Sequence, residues 1–119
     1  MIKESKEQST FIKWIRLNYP DLTVFHIPNG EYRDILTSVK LKRMGVLPGV
    51  FDLYCMDYHL FIEFKQSKKN TNVEERLTNS QKRFMETALK TKHNCLIFNG
   101  FVDGVEKFKK YIKDNKKLV

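Results

Sequence analysis

Apolar and polar positions alternate along this chain with periods that change several times. From Glu4 to Tyr19, Phe11, Trp14, Ile15 and Leu17 recur at helical spacing, and Pro20 follows as a stop. Glu4, Gln8, Ile12 and Ile15 fall three or four residues apart, so they share one stripe of that helix. Leu22 to Ile27 is rich in β-formers and predicts a strand. Pro28-Asn29-Gly30 is a turn signal. Glu31 to Met44 is moderately helical, with Gly45 as its C-terminal cap. Val50 to Met56 and Leu60 to Gln66 alternate as the two strands of a hairpin. Ser67 to Arg76 is polar and predicts a mobile loop. Thr78 or Ser80 can cap a helix whose apolar stripe, Phe84, Ala88 and Leu89, runs to about Lys92. Asn94 to Asn99 predicts a strand and Gly100 to Gly104 a turn. A last helix then spans Val105 to Lys113, with Val105, Phe108 and Ile112 inward.

The predicted order is α-β-α-β-β-α-β-α, an α/β fold in which helices pack on a mixed sheet. With 119 residues, no internal repeat and no linker-like tract, the expectation is a single domain over 1–119. No apolar run approaches the about 20 residues that a membrane span needs. The charged start, Met1 to Glu7, lacks the apolar centre of a signal peptide. Cys55 and Cys95 sit inside apolar strands and read as buried thiols in a reducing, cytoplasmic compartment. The formal net charge of +8 changes the picture more, because it favours a polyanionic partner, most simply nucleic acid. A lysine-rich protein with no such partner is the bland alternative.

Against this background the hairpin is anomalous. Pro48-Gly49-Val50-Phe51-Asp52 leads into one strand, and Phe61-Ile62-Glu63-Phe64-Lys65 forms the other. Charges among such neighbours are costly unless compensated. Glu63 and Lys65 point to the same face. If the connection is a two-residue Asp57-Tyr58 turn, Met56 pairs with His59 and Asp52 lies opposite Glu63, with Cβ atoms about 4.5–5.5 Å apart. A three-residue loop would shift that register by one. Two opposed carboxylates repel, and a divalent cation between them reverses the sign. Asp52 and Glu63 are hard oxygen ligands suited to Mg²⁺. Lys65 can orient a metal-bound water or hold charge on a phosphate. Gly45 and Gly49, without side chains, would ease the approach of a phosphodiester backbone.

Together with Gly45 to Asp52, Leu60 to Lys65 and Leu77-Thr78-Asn79-Ser80-Gln81, the chain resembles the VRR-NUC (virus-type replication-repair nuclease) branch of the PD-(D/E)XK superfamily. The likeness is to its small stand-alone phage members. Glu4-X-X-X-Gln8, Ile27-Pro28-Asn29-Gly30 and the segment Phe101 to Ile112, matched to the family's last strand and helix, extend it over almost the whole chain. The resemblance implies a restriction-endonuclease-like fold and Mg²⁺- or Mn²⁺-dependent cleavage of DNA. For stand-alone members it further implies a homodimer acting on branched DNA such as four-way junctions. It assigns Asp52 and Glu63 as metal ligands with the backbone of Phe64, and Lys65 as the catalytic lysine. Gln81 becomes the glutamine beside the metal water, and the first-helix glutamate falls on Glu4 or Glu7. Many relatives carry Pro where this chain has Phe51, which suits a buried strand and removes no ligand.

Lys40, Lys42 and Arg43 before the glycine loop, with Lys68 and Lys69 after the second hairpin strand, are candidate phosphate contacts. The tail lysines Lys109, Lys110, Lys113, Lys116 and Lys117 suit non-specific electrostatics. Trp14 suits the core or a dimer interface. His26, His59 and His93 have no partner at zinc spacing and read as satisfied or solvent-facing. The alternatives to a branched-DNA nuclease are a non-catalytic basic nucleic-acid-binding module and a sequence-specific restriction-type nuclease. The short chain leaves little room for the target-reading domain that the last would need.

Overall fold

Leu60, Ile62 and Phe64 alternate with Phe61, Glu63 and Lys65, and this alternation builds the central strand of the computed structural model, which describes residues 3–28 and 34–116. The elements run α1 (Glu4–Asn18), β1 (Val24–His26), α2 (Ile35–Arg43), β2 (Leu53–Cys55), β3 (Leu60–Lys65), α3 (Asn79–Lys90), β4 (Asn94–Asn99) and α4 (Gly100–Asp114). The sheet order is β1-β2-β3-β4. The first two pairings are antiparallel and β3 pairs β4 in parallel through the α3 crossover. This is the mixed α/β, restriction-endonuclease-like architecture expected. Asn29, Gly30 and Arg33 of the expected turn and second helix, and Lys117 of the tail, lie outside the described residues.

One sheet face packs on α1 and α4 through Phe11, Ile15, Leu53, Leu60, Ile62, Phe64, Phe98 and Phe108. Phe11 anchors this layer, its ring 5.1 Å from Phe98 and 5.7 Å from Phe108 in edge-on geometry. The other face holds a smaller cluster beneath α3, where Phe51 meets Phe84 at 5.3 Å. Phe51 is fully buried there. Burial pushes the Cys55 and Cys95 thiols up to about 11, which keeps both protonated. No helix among the described residues is long and apolar enough to cross a membrane.

The hairpin connection is not the two-residue turn. A 3-10 turn over Met56–Tyr58, followed by His59 at φ 49°, joins the strands. The pairing Leu53↔Ile62, Tyr54↔Phe61 and Cys55↔Leu60 nevertheless keeps the register that the shorter turn would have set. Two extra residues restore the side-chain alternation, and continuing the register by one pair sets Asp52 opposite Glu63.

Three other expectations need correction. Ser67 to Arg76 is not simply a polar loop, because a 3-10 turn over Val73–Arg76 buries Val73 in the α3 cluster. Asn99 also ties this segment down, its side chain accepting from Lys68 N at 2.8 Å and donating to Lys68 O at 2.9 Å. Gly100 to Gly104 is no turn: α4 begins at Gly100, so Phe101 to Ile112 is helical throughout. Gly100 at φ +84° lets the chain pass directly from β4 into the helix, and Gly104 packs on the Phe98 ring, where a Cβ would come within 2.7 Å. Finally, Leu17 is 83% exposed and Leu89 is also exposed, because each lies off its helix's buried stripe.

Candidate metal centre

Asp52 stands at the entry to β2, and its Oδ2 accepts a hydrogen bond from Phe64 N at 2.9 Å. The main chain of Phe64 thus enters the site through its N–H. Glu63, one residue earlier on β3, is only 3% exposed. Its Oε2 accepts from Gln81 Nε2 at 2.7 Å, whereas its Oε1 is buried with no hydrogen-bond partner among the described residues. Lys65 Nζ lies 3.7 Å from Glu63 Oε2 and donates to Gln81 Oε1 at 3.0 Å.

Gln81 also belongs to the capping box of α3. Its backbone N–H donates to Thr78 Oγ1 at 3.1 Å, and its Oε1 accepts from Thr78 N at 2.9 Å. One side chain therefore closes the helix and touches both Glu63 and Lys65. Gly49 seats this helix end against the loop before β2. At φ +90°, a Cβ there would meet the Ser80 carbonyl group at 2.4 Å. Its missing side chain serves an internal contact, not the approach of a phosphodiester. Gly45, at φ +104° where an added Cβ would meet no other described residue within 4 Å, serves the turn after α2.

Carboxylate oxygens of Glu4, Asp52 and Glu63 all lie within 4.8 Å of one another. Oxygens on one divalent ion stand up to about 4–5 Å apart, twice the metal–oxygen distance. The hard donor set and the unpartnered Glu63 Oε1 fit such an ion, since a buried carboxylate oxygen is costly without a partner. Burial, then the neighbouring Asp52 charge, pushes Glu63 up to about 8. Asp52 is also raised by burial, which outweighs the lowering by the Phe64 N–H and by Glu63.

Glu7 does something else. It is buried, Oε2 accepts from Ser67 N at 3.0 Å, and Oε1 accepts from Phe101 N at 3.0 Å. It ties α1 to the end of β3 and the start of α4, and lies outside the acidic cluster. Helical geometry separates the two glutamates: Glu4 shares a face with Gln8, and Glu7 shares one with Phe11.

An open cleft of about 850 Å³ lies over the cluster. Its floor includes Asp52, Glu63, Lys65 and Gln81, and α1 lines one wall with Lys3, Glu4, Ser5, Gln8 and Ser9. None of Lys40, Lys42, Arg43, Lys68 or Lys69 lines it. The first three occupy the exposed last turn of α2, and the other two the exposed loop after β3. Lys3 and Lys65 are the cations of the described lining. Lys3, Ser5, Ser9 and His26 were missed in the sequence. For the serines, the four-residue repeat beside the Glu4–Gln8 stripe was the available signal. His26 lies at a strand end, where alternation carries little information. His59 and His93 instead stack with each other and near Tyr54 and Phe61, at the far end of the hairpin.

No family model matches the sequence, and no curated protein matches it. Among solved structures, one described as a VRR_NUC domain protein has the same fold. It superposes with a TM-score of 0.69 at 24% identity, covering 95% of this chain and 90% of that chain.

Proposed function

We propose that this chain is a nuclease domain of the VRR-NUC family that hydrolyses phosphodiester bonds in DNA with Mg²⁺ or Mn²⁺. The observation that carries the proposal is the convergence of Glu4, Asp52 and Glu63 oxygens within 4.8 Å beside Lys65, at the floor of a cleft. The shared fold with a VRR_NUC domain protein supports the same reading.

Asp52 and Glu63, with Glu4 from α1, would hold the ion. When bound, such an ion lowers the pKa of a water and polarises a phosphoryl oxygen. The Phe64 N–H fixes the orientation of the Asp52 carboxylate. Lys65 supplies positive charge where the phosphate gains negative charge. Gln81 holds the Lys65 ammonium at 3.0 Å, so its position is set before substrate arrives.

The preferred substrate in this reading is branched DNA, cut by a homodimer whose two sites face a symmetric junction. Ile35, Leu36, Val39, Met44 and Leu47, on and just after α2, are exposed apolar residues, which suits such an interface. The test is cleavage of a labelled four-way junction, flap, single strand and duplex with Mn²⁺, Mg²⁺ or EDTA. Metal-dependent cutting of the junction, lost in Lys65→Ala, is expected. Binding to all four without cutting in any metal would replace the proposal with a non-catalytic nucleic-acid-binding module.

A further inference from the structure

Glu4 is the one member of the acidic cluster that comes from a helix. It lies in the first turn of α1, whose N-cap, Lys3, makes no side-chain capping bond. Helix starts of this kind fray. Something must hold this face of the helix against the end of β2 if Glu4 is to reach an ion held by Asp52.

The hydrogen bonds show what does so. Gln8 is one turn after Glu4 on the same face of α1. Its Nε2 lies 3.1 Å from His26 Nδ1, and that ring nitrogen lies 2.9 Å from the main-chain oxygen of Asp52. Both Gln8 and His26 line the cleft. With the proton on Nδ1, the ring donates to the Asp52 oxygen. Turning the Gln8 amide over sets its oxygen beside the same proton, and one N–H then serves both acceptors. The Asp52 oxygen also accepts from Ile27 N at 2.8 Å, which continues the β1–β2 ladder. The ring therefore grips a strand end that is already fixed, and passes that fixity to α1.

We infer that Gln8 and His26 are positioning residues for the metal centre, setting the Glu4 carboxylate at ligand distance from Asp52. The inference rests on the metal-centre reading above. Glu7, in the same first turn, fastens the neighbouring face of α1 to Ser67 and Phe101, so the helix stays docked without the bridge. What the bridge sets is the face that carries Glu4 and Gln8.

The test is Mn²⁺ titration by calorimetry, with the thermal midpoint in EDTA as a control. His26→Ala and Gln8→Ala should each weaken Mn²⁺ binding about tenfold, as loss of groups that orient metal ligands typically does. Their midpoints in EDTA should stay close to wild type, because both side chains sit at the cleft surface. His26→Asn should restore binding, since its amide nitrogen replaces Nδ1 as a donor. In cleavage, the alanine variants should need more metal for half-maximal rate but approach the wild-type rate at saturation. Wild-type affinity in both alanine variants overturns the inference. So does a loss of affinity that Asn fails to rescue, or one that only tracks a lower midpoint in EDTA. A wild-type protein that binds no Mn²⁺ brings down the metal-centre reading itself, and the two failures are distinguished by that first titration.

Discussion

Replacing Glu63 with Gln should make the metal-free protein more stable at pH 7, by an amount that grows as pH rises from 5 toward 8. Burial first and Asp52 second push the Glu63 carboxyl from the ordinary 4.5 up to about 8. At pH 7 the native protein therefore holds a proton that the unfolded chain has released. Each pH unit above 4.5 costs about 1.4 kcal/mol, which makes about 3 kcal/mol at pH 7. The sign follows from the raised value. Stability linked to this group is fully present below pH 4.5 and is lost as pH rises toward 8. A neutral Gln removes that loss but puts a buried NH₂ in the place of the unpartnered oxygen, at about 1–2 kcal/mol. The net gain at pH 7 is about 1–2 kcal/mol, a rise of several degrees in Tm for a chain of this size. Thermal unfolding in EDTA from pH 5 to 9 measures it. The variant should match or trail wild type at pH 5, lead it at pH 7, and hold its lead above pH 8. Saturating Mn²⁺ should reverse the order, because only wild type keeps the full ligand set. Parallel stability curves for the two proteins across this range would refute the reasoning, since Glu63 would then carry no proton linkage.

The two first-helix glutamates should separate cleanly. Glu4→Gln should weaken Mn²⁺ binding about tenfold or more with little change in urea midpoint. Glu7→Gln should cost about 2 kcal/mol of stability by facing an amide NH₂ toward a main-chain N–H, and urea melts in EDTA would show it. Gly49→Ala should cost at least about 2 kcal/mol, because its Cβ would lie 2.4 Å from the Ser80 carbonyl group at φ +90°. Displaced with it would be the start of α3 and Gln81, so single-turnover cleavage should also fall. Lys65→Ala should abolish cleavage while Mn²⁺ binding stays within a few-fold, since the ammonium is not a ligand; full turnover by the variant would exclude its assigned role.

Local periodicity was enough to read the element order, because each element carries its own alternation or helical stripe. Leu60, Ile62 and Phe64 mark the core face of β3, and Phe11 and Ile15 mark the buried face of α1. The α3 start was legible for the same reason, since a capping box is a contact between residues three apart. The Asp52–Glu63 juxtaposition was legible conditionally: any even loop centred on Asp57-Tyr58 would give it. The loop is longer than expected and still even.

What no local rule contains is how separate elements meet. Glu4 and Glu7 are equivalent by composition and nearly so by position. Only the docking of α1 on β3 and α4 sends one to the acidic cluster and the other to two main-chain N–H groups. Gly49 could be read as open space for a ligand until the helix packed against it was seen. His26 had no sequence partner because its partners, Gln8 and the Asp52 oxygen, are 18 and 26 residues away. The sequence alone determined the order of the elements and offered the acidic and basic residues on which the candidate site is built. The tertiary structure decided which of them converge, because that depends on long-range packing and on burial, which sets the Glu63 proton and leaves its oxygen unpaired.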